Sequence, residues 1–484
     1  MISRLTMHLA LWLALAANPV LSMTGWWTWS PDTLTPHFAF QDPGSGDLVH
    51  SSCNSNGTAI FPTEEPHKFP IKIRAKPATP LAVTGWWDDD LGTPIASVFY
   101  QDSDDSLINA YFECNNKTGN YELDPEGQDK VSELAGAPSV HEKTGLAVTE
   151  LGDSGGYRLF YHDEDGRVNL LAYDDDTDWL YLGPVSKKAP KGMSLATVQT
   201  VGVNVSVVFP YDSENIGVAQ FHENSKNKWS LSALPTTFES PSPTNETSAA
   251  EIILDSSTGP GFSLSAFDEA AVHLGLAANL DHELSIFYIG SDRELYQLSQ
   301  ADRKWQISQS LSSVEPPEAD DRSSRLALVS PLESSQVWIY YRSGGDIMVL
   351  SQEDGVWSKP KTVPTKAAKS ATGSGDKTGE ETSNEEDSTK VDGNEDGQTQ
   401  SGGLSTGSKA GIGVGVSAAV LLLLTASFFY LRKKKRTTAA ERKTHADSEG
   451  TVYNEISELP TIQPPQELQS ITKYELLGDV RHSR

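Results

Sequence analysis

A strand–turn–strand pattern that returns six times constrains this chain more than any other feature of its sequence. In the first copy, an aromatic run at residues 38–42 is followed by a turn and a second apolar run at residues 48–50. The later copies begin near residues 98, 159, 208, 286 and 339. Each copy is a β-branched or aromatic run, a turn rich in Asp, Gly or Ser, and another alternating run, which is typical of a β-hairpin.

Tryptophans form a second repeat in register with the first. The tetrapeptide Thr-Gly-Trp-Trp stands at residues 24–27 and again at 84–87. A single tryptophan closes each of the last four units, at Trp179, Trp229, Trp305 and Trp357. Four short strands per unit, repeated at this spacing, are the signature of β-propeller blades. We therefore predict an all-β, six-bladed propeller over residues 23–360; the alternative, two stacked β-sandwiches, is disfavoured by the even spacing.

The two ends of the chain carry targeting signals. Residues 1–22 combine Arg4, a short apolar run and the small residue Ser22, which is typical of a secretory signal peptide. Residues 410–431 are uncharged and apolar, and the predicted span, residues 409–431, is long enough to cross a bilayer and is followed by five basic residues. Basic residues at that end predict a cytosolic tail at 432–484. The sequence thus predicts a single-pass type I protein of the plasma membrane with an extracellular N-terminus.

A stalk is predicted between the propeller and the membrane span. Large apolar residues nearly vanish from residues 361–408, where Ser, Thr, Glu, Lys, Asp and Gly dominate. Such a segment cannot bury enough surface to offset the entropy of ordering it. We therefore expect a disordered segment.

Only two cysteines are present, Cys53 and Cys114, at nearly equivalent places in units one and two. An oxidising compartment permits a disulfide between them. Equivalent points on packed sheets lie about 10 Å apart, whereas a disulfide needs Cα atoms within about 7 Å. The predicted bond therefore requires a local shift that brings the two blades together.

Four Asn-X-Ser/Thr sequons are candidate sites of N-glycosylation: Asn56, Asn116, Asn204 and Asn245. Two of them follow the cysteines in matching turns, where glycans would be exposed. Asn204 lies in a strand-like run.

Charge and motif content argue against several functions. A formal net charge of −28 would repel a phosphate polymer, which excludes nucleic acid as the expected partner. The sequence has no glycine-rich phosphate loop, no Cys/His metal spacing and no serine nucleophile elbow. Alternate carboxylates at Asp174, Asp176 and Asp178 could ligate calcium, but the glycine and the later glutamate of an EF-hand loop are absent. We expect no metal and no cofactor.

The aromatic strands and closing tryptophans resemble the fungal fucose-specific lectins over about residues 24–360. That family consists of six-bladed propellers whose blades carry an Arg-x-Tyr-Tyr strand, a turn, and a glutamate on the next strand. The resemblance implies sugar pockets between adjacent blades, each completed by an aromatic residue. Here the anchor and tail would make the chain a membrane-anchored, divergent member.

The family's pocket residues are only partly present. Its arginine falls on Arg158 in unit three. The other units hold His37, Ser97, Ser206 or Val207, Ser285 and Trp338 in that place. The place of the glutamate holds His50, Asn109, Leu170, Val218, Gln297 and Val349, so no unit keeps both. Because serine cannot replace a bidentate guanidinium, fucose specificity does not transfer.

The predicted ligand contacts are three pairs and one ring. The pairs are Arg158 with Tyr161, Ser97 with Asn109, and Ser285 with Gln297, and the ring is Trp179. Aromatic rings at strand spacing can stack on sugars, but they more often fill the core between blades.

Two functions from different classes remain. The first is a cell-surface, lectin-like propeller with degenerate pockets that binds glycans, fucosylated or not, or cell-wall polysaccharide. The second is a non-catalytic, wall-facing or protein-docking propeller with a signalling or sorting tail. Since paired carboxylates also suit glycoside hydrolysis, an enzyme is the third and least favoured possibility; we expect none.

Overall fold

A computed structural model describes residues 22–30, 33–152, 156–186, 188–225, 228–236, 252–254 and 261–366. They form six mainly antiparallel sheets that follow one another along the chain. The predicted all-β, six-bladed propeller is thereby confirmed. Residues 1–21 and 367–484, with nearly all of the predicted signal peptide, most of the stalk, the membrane span and the tail, lie outside the described residues. Among those that are described, no helix has the length and hydropathy to cross a membrane.

Each blade is a meander whose strands are numbered from the centre of the ring outward. Blade 1 contains β1 (Met23–Ser30), β2 (Thr33–Gln41), β3 (Leu48–His50) and β4 (His67–Lys68). Blade 2 contains β5 (Leu81–Asp88), β6 (Thr93–Gln101), β7 (Leu107–Cys114) and β8 (Tyr121–Lys130). Blade 3 contains β9 (Leu146–Glu150), β10 (Tyr157–His162), β11 (Val168–Tyr173) and β12 (Leu180–Pro184).

The second half of the ring repeats this plan with an extra strand in two blades. Blade 4 contains β13 (Ala196–Gln199), β14 (Val205–Pro210), β15 (Ile216–His222), β16 (Lys228–Leu234) and the parallel β17 (Ile252–Leu254). Blade 5 contains β18 (Leu274–Ala278), β19 (Leu284–Ile289), β20 (Leu295–Ala301) and β21 (Lys304–Ile307). Blade 6 contains β22 (Leu326–Val329), β23 (Val337–Ser343), β24 (Asp346–Glu353), β25 (Val356–Trp357) and β26 (Lys361–Thr362). Among the residues that the structure describes, one short helix, α1 (Val131–Leu134), and two 3-10 turns (Glu223–Ser225 and Ser312–Val314) connect strands.

The second strand of each blade explains why the repeat is so apolar. All nine residues of β6 are buried, and all six of β14 are buried as well. Both faces of such a strand are covered, one by the preceding blade and one by the following blade. A strand that is covered on both faces reads as a continuous apolar run rather than as an alternation.

Glycines in the innermost strands let neighbouring blades approach closely. The innermost strands contact one another in ring order, and β1 closes the ring by lying between β22 and β5. A Cβ atom on Gly25 would come within 2.8 Å of the Leu328 carbonyl in blade 6. One on Gly85 would come within 2.8 Å of the Trp26 ring in blade 1. Close approach therefore requires the glycine of the repeated Thr-Gly-Trp-Trp tetrapeptide.

The closing tryptophans are packing residues between blades. Trp229, Trp305 and Trp357 lie in the fourth strands, and Trp179 immediately precedes one. The ring of Trp229 meets that of Phe160 in the preceding blade edge to face, at 5.9 Å between centroids. Trp357 meets Phe287 in the same way at 5.8 Å. Edge-to-face packing of this kind indicates that these aromatic rings fill the core between blades.

A C-terminal strap, residues 361–366, extends the propeller past the predicted boundary at residue 360. Its first two residues, β26, pair with β24, and Val363 is buried between blades 6 and 1. The polar neighbours of Val363 conceal this single core residue in the sequence.

Candidate functional site

The second and third strands of each blade present one row of side chains to the following blade. In blade 2 the register pairs Phe99 with Asn109, and Ser97 with Tyr111. Phe99 packs on Trp179 of blade 3, so this row faces the cleft between blades 2 and 3. The corresponding positions are those that the sequence comparison assigned to the family's sugar pockets. In blade 4, Val208 pairs with Val218, which places Ser206 rather than Val207 in the row.

The predicted pair Ser97 and Asn109 is brought together. The Asn109 amide nitrogen donates to the Ser97 hydroxyl over 2.6 Å. Ser97 is buried, and its interaction with the phenol of Tyr157 across the cleft opposes the rise in that phenol's pKa caused by burial. Asn109 remains partly exposed, and this bond is the only one its side chain makes to the described residues. Its amide therefore has donor and acceptor capacity left for a ligand.

Two partly exposed rings stand beside this pair. The rings of Trp86 and Tyr111 lie 5.8 Å apart at an angle of 57°. Trp86 is also 6.2 Å from the Tyr157 ring of the next blade. Burial, together with the negative charge of Asp88, raises the pKa of Tyr111 to about 12. Its phenol consequently stays protonated and can donate a hydrogen bond at physiological pH.

Sequence reasoning missed three members of this cleft. Trp86 was recognised as part of a repeat but was not assigned to a site. Tyr111 lies two residues after Asn109 on β7, on the same face of the strand. Asp129, which is exposed, pairs directly with Asn109 in the adjoining strand. Strand alternation from Asn109 could have identified Tyr111. Asp129 could not be identified in this way, because a β-bulge between Ala110 and Phe112 shifts the register that pairs Asp129 with Asn109.

Ser285 and Gln297, another predicted pair, are linked through a third residue. Most of their hydrogen-bonding groups are already used by bonds within the protein. Both side chains hydrogen-bond the Ser299 hydroxyl, at 2.8 Å and 3.0 Å respectively. The carbonyl oxygen of the Gln297 amide accepts from the Trp357 indole at 3.2 Å and from Ser310 at 3.3 Å. Gln297 is 5% exposed. This cleft between blades 5 and 6 is therefore sealed by its own hydrogen bonds.

The predicted pair Arg158 and Tyr161 is not formed. The two residues are three apart on β10, so their side chains lie on opposite faces of the sheet. Tyr161 is fully buried and packs with the residues between blades 2 and 3. Arg158 lies on the other face and donates to the neighbouring Tyr157 carbonyl at 2.8 Å. The two residues were paired on the family motif, which does not take account of the alternation of side chains between the two faces of a strand.

Trp179, the predicted stacking ring, is a core residue. It is 7% exposed and stacks on Tyr157 at 6.0 Å and 13°. Phe99 meets it edge to face from blade 2, and Tyr173 contacts it from its own blade. Because protein rings cover it on several sides, Trp179 supports the cleft and does not present a face to a ligand.

Histidines fill the equivalent row in blade 1. His37 and His50 are both fully buried. Burial lowers the pKa of each to about 3, so both are neutral at physiological pH. Trp26 stacks on His37 at 5.4 Å, and Tyr121 of blade 2 meets His50 edge to face at 5.0 Å. This cleft is closed to solvent.

Cys53 and Cys114 form a disulfide between blades 1 and 2, with Cα atoms 5.7 Å apart. The loop after β3 supplies the required local shift. Its Cys53 N–H donates to the Gly119 carbonyl in the β7–β8 turn at 3.0 Å, and Asn54 donates to the Asn116 carbonyl at 3.1 Å. Backbone pairing between the two loops thus brings the cysteines together.

The sequons occupy turns in the described part of the chain. Asn56 and Asn116 are exposed, next to the β1–β2 and β5–β6 hairpin tips, where they contact Thr33 and Gly92. Asn204 lies in the turn before β14, and its side-chain oxygen accepts from the Glu223 N–H at 2.8 Å. Asn245 lies outside the described residues.

The acidic turns considered for calcium serve as local caps. A carboxylate oxygen of Asp174 accepts from the backbone N–H groups of Asp176 and Thr177, and hydrogen bonds with Thr177 lower its pKa. Within the ranges that the structure covers, no three His, Cys, Asp or Glu side chains are grouped to hold a metal ion.

Comparisons with known proteins find similarity at the level of structure only. No protein-family model matches the chain, and no curated protein matches it. A mutant of AofleA from Arthrobotrys oligospora is 11% identical, with a TM-score of 0.49, over 71% of this chain and 88% of its own. The Aleuria aurantia lectin in complex with alpha-methyl-L-fucoside is 14% identical, with a TM-score of 0.49, over 73% of this chain and 99% of its own.

A polysaccharide lyase, an ulvan lyase, is more distant, with a TM-score of 0.35 and 10% identity over 68% of this chain and 80% of its own. At these identities and TM-scores, the similarities say nothing about which ligand this chain binds.

Proposed function

We propose that the propeller is a non-catalytic, glycan-binding module whose working site is the cleft between blades 2 and 3. One observation carries this proposal. Of the three clefts described above, between blades 1 and 2, 2 and 3, and 5 and 6, the second has partly exposed rings, Trp86 and Tyr111, beside a side-chain amide, that of Asn109, with unused hydrogen-bonding capacity. Apolar rings together with a few directed polar groups are the usual composition of a sugar site.

The geometry suggests how a pyranose would be held. Its C–H face would stack on Trp86 or Tyr111, whose rings form two walls at 57°. Asn109, held by Ser97, would contribute a donor and an acceptor, while Asp129 would accept from hydroxyl groups. Ser97 holds the Asn109 amide before the ligand arrives, which lowers the entropic cost of binding.

Two of the other clefts support the proposal of degenerate pockets. The cleft between blades 1 and 2 is filled by His37 and His50, and that between blades 5 and 6 by Gln297 and its partners. A ring with one working cleft would bind a single sugar weakly. Clustering of many copies on a surface would supply avidity.

We propose further that the module is displayed at the plasma membrane by a single span. The support is the sequence alone: the uncharged apolar run at 410–431, followed by basic residues 432–436. A protein of this plan would meet fucosylated or other glycans, or cell-wall polysaccharide, outside the cell. Three of the four sequons lie in described turns, where added glycans would remain in solvent.

The test is a glycan-array screen of the full-length chain in mild detergent, with Asn109→Ala and Trp86→Leu beside it. We expect binding that falls about tenfold in Asn109→Ala, since an unreplaced hydrogen bond to a ligand costs on the order of 1.4 kcal/mol. Trp86→Leu should lose the stacking surface and bind more weakly still. Ser285→Ala is the matched control, because it alters the equivalent row in the sealed cleft.

Three results would decide against the proposal. Binding that is equal in all variants would place the site elsewhere. Absence of binding to any glycan by the folded chain would favour the protein-docking alternative. Cleavage of a glycoside would make the propeller an enzyme.

A further inference from the structure

A cavity of about 80 Å³ lies at the centre of the ring, at the end where the innermost strands begin. All six blades line this central cavity, each with the first residues of its innermost strand or the residue just before them. An innermost strand pairs on one side only, so its other edge presents backbone N–H and C=O groups to the cavity. Sites for drug-sized ligands begin at roughly 300 Å³, whereas one water molecule takes about 30 Å³. The central cavity therefore has room for a group of a few heavy atoms and not for a sugar ring.

His273 lines the central cavity and immediately precedes β18. Its Nδ1 atom is buried and has no hydrogen-bond partner among the described residues. Burial, together with the positive charge of Arg325, lowers the pKa of His273 to about 3, so the ring is neutral at physiological pH. A neutral imidazole can carry its one proton on Nδ1. The ring therefore offers a hydrogen-bond donor that the described part of the chain leaves unused.

Arg325 occupies the same place in the next blade, immediately before β22. The two strands are close neighbours, because a Cβ atom on Gly275 of β18 would come within 2.8 Å of the Leu326 side chain of β22. Arg325 is partly buried, and its guanidinium makes no hydrogen bond or ion pair with any residue that the structure describes. Burial lowers the pKa of Arg325, and no carboxylate in the described ranges opposes that shift. Since an arginine stays charged in proteins, its positive charge has no counter-charge among these residues.

This lack of a counter-charge does not reflect a shortage of acidic residues. The chain has 66 Asp and Glu residues against 38 Lys and Arg residues. In the loop before β22, Asp320 lies 4.0 Å from Arg342, and Asp321 accepts from the backbone N–H two residues further on at 2.8 Å. In the loop before β18, Asp268 accepts from a backbone N–H of its own loop at 3.2 Å. These carboxylates interact elsewhere, so this end of the central cavity keeps its positive charge.

We propose that the central cavity binds a small oxyanion of the size of phosphate, paired with the Arg325 guanidinium and hydrogen-bonded by the His273 ring. The planar fork of N–H groups in an arginine matches the oxygens of phosphate and carboxylate groups. A water molecule could bond the Nδ1 atom of His273 but would leave the charge of Arg325 unbalanced. A cation would be repelled. The bound anion would join blades 5 and 6 at the centre of the ring, a function that does not depend on the proposed glycan cleft.

Isothermal titration calorimetry of the full-length chain with inorganic phosphate, in mild detergent and at constant ionic strength, tests this proposal. We expect one phosphate per chain, and Arg325→Gln should weaken its binding at least about tenfold, because a charge-assisted contact is lost. Arg325→Lys keeps the charge without the planar fork and should bind with intermediate affinity. Arg322→Gln is the matched control. Arg322 is exposed, so the same charge change three residues away should leave the affinity unchanged.

Thermal unfolding provides a second readout. Phosphate stabilises many proteins through its exclusion from their surface, a rise that all variants share. Binding to the folded state adds a further rise, which we expect in the natural chain and in Arg322→Gln but not in Arg325→Gln.

Three outcomes would overturn the proposal: no binding of phosphate by the folded chain, binding that Arg325→Gln leaves unchanged, or binding that Arg322→Gln weakens equally. The last would reveal a general attraction of phosphate to surface charge. Arg325→Gln should leave glycan binding unchanged, because Arg325 is not part of the cleft between blades 2 and 3. Failure of one proposal therefore leaves the other open to test.

Discussion

The backbone N–H of Phe61 in blade 1 donates to the carbonyl of Pro364 over 2.9 Å. The ring is thus closed by a hydrogen bond from the first blade to a strap that follows the last blade. Val363, next to Pro364, is buried beside Phe61 and donates its N–H to Ile347 of blade 6 at 2.9 Å. The strap thus adds hydrogen bonds to both blades at a seam where β1 already packs against β22.

We expect Val363→Ala to lower the free energy of unfolding by about 2 kcal/mol, because it removes two methyl groups from a packed site. The measurement is the chemical denaturation midpoint of the full-length chain in detergent. Val356→Ala is the matched control, since Val356 is 72% exposed on the same blade and should change stability by less than about 0.5 kcal/mol. Equal effects of the two substitutions would show that the strap does not hold the seam.

The disulfide makes a second prediction about the seam between blades 1 and 2. Cys53 and Cys114 are 61 residues apart in sequence, so the bond closes a long loop in the unfolded chain. We expect the double variant Cys53→Ser, Cys114→Ser to lose about 3 kcal/mol of stability. Denaturation of both proteins under non-reducing conditions measures the loss. An unchanged midpoint would mean that backbone pairing of the two loops suffices to hold the blades.

The fold could be predicted because its determinants are local and repeated. Each hairpin carries its own turn chemistry, and six copies reinforce one another. Two features are not encoded in that repetition, for a physical reason. The strap depends on Val363 alone, too little to show as a pattern. The disulfide depends on a loop displacement that strand periodicity does not encode.

The candidate site could be predicted only in part. Ser97 and Asn109 were correctly placed together because their strands are joined by a tight hairpin. Arg158 and Tyr161 were grouped by a motif, although an odd spacing of three puts them on opposite faces. Trp86 is partly exposed and Trp179 is buried. This difference arises from contacts between blades, and no local sequence feature reports it.

Buried histidines predict that stability falls in acid. His37, His50 and His162 are fully buried, and burial lowers the pKa of each from 6.5 to about 3. Below pH 6.5 the unfolded chain binds protons that the folded chain does not, so the stability present above pH 6.5 is lost as pH falls toward 3. Each histidine should cost on the order of 1–2 kcal/mol at pH 5.

Denaturation midpoints measured at pH 7.5 and pH 5 test this expectation. His162→Gln should be destabilised at pH 7.5, since Gly145 loses the ring nitrogen that accepts its N–H, but should show a smaller further loss at pH 5. The control is His282→Gln, because His282 is exposed. A loss at pH 5 that is the same in all three proteins would assign acid sensitivity to other groups.

The phenol of Tyr161 is buried between blades 2 and 3 and has no hydrogen-bond partner among the described residues. A buried polar group without a partner costs stability, so Tyr161→Phe should leave the free energy of unfolding unchanged or raise it by up to about 1 kcal/mol. Tyr288 is buried at a corresponding place in blade 5, but its hydroxyl donates to the Ser265 carbonyl at 2.9 Å. Tyr288→Phe should therefore lose about 1 kcal/mol. If both variants lose the same amount in chemical denaturation, Tyr161 has a partner in solution, and a polar ligand or water would enter the interface between blades 2 and 3.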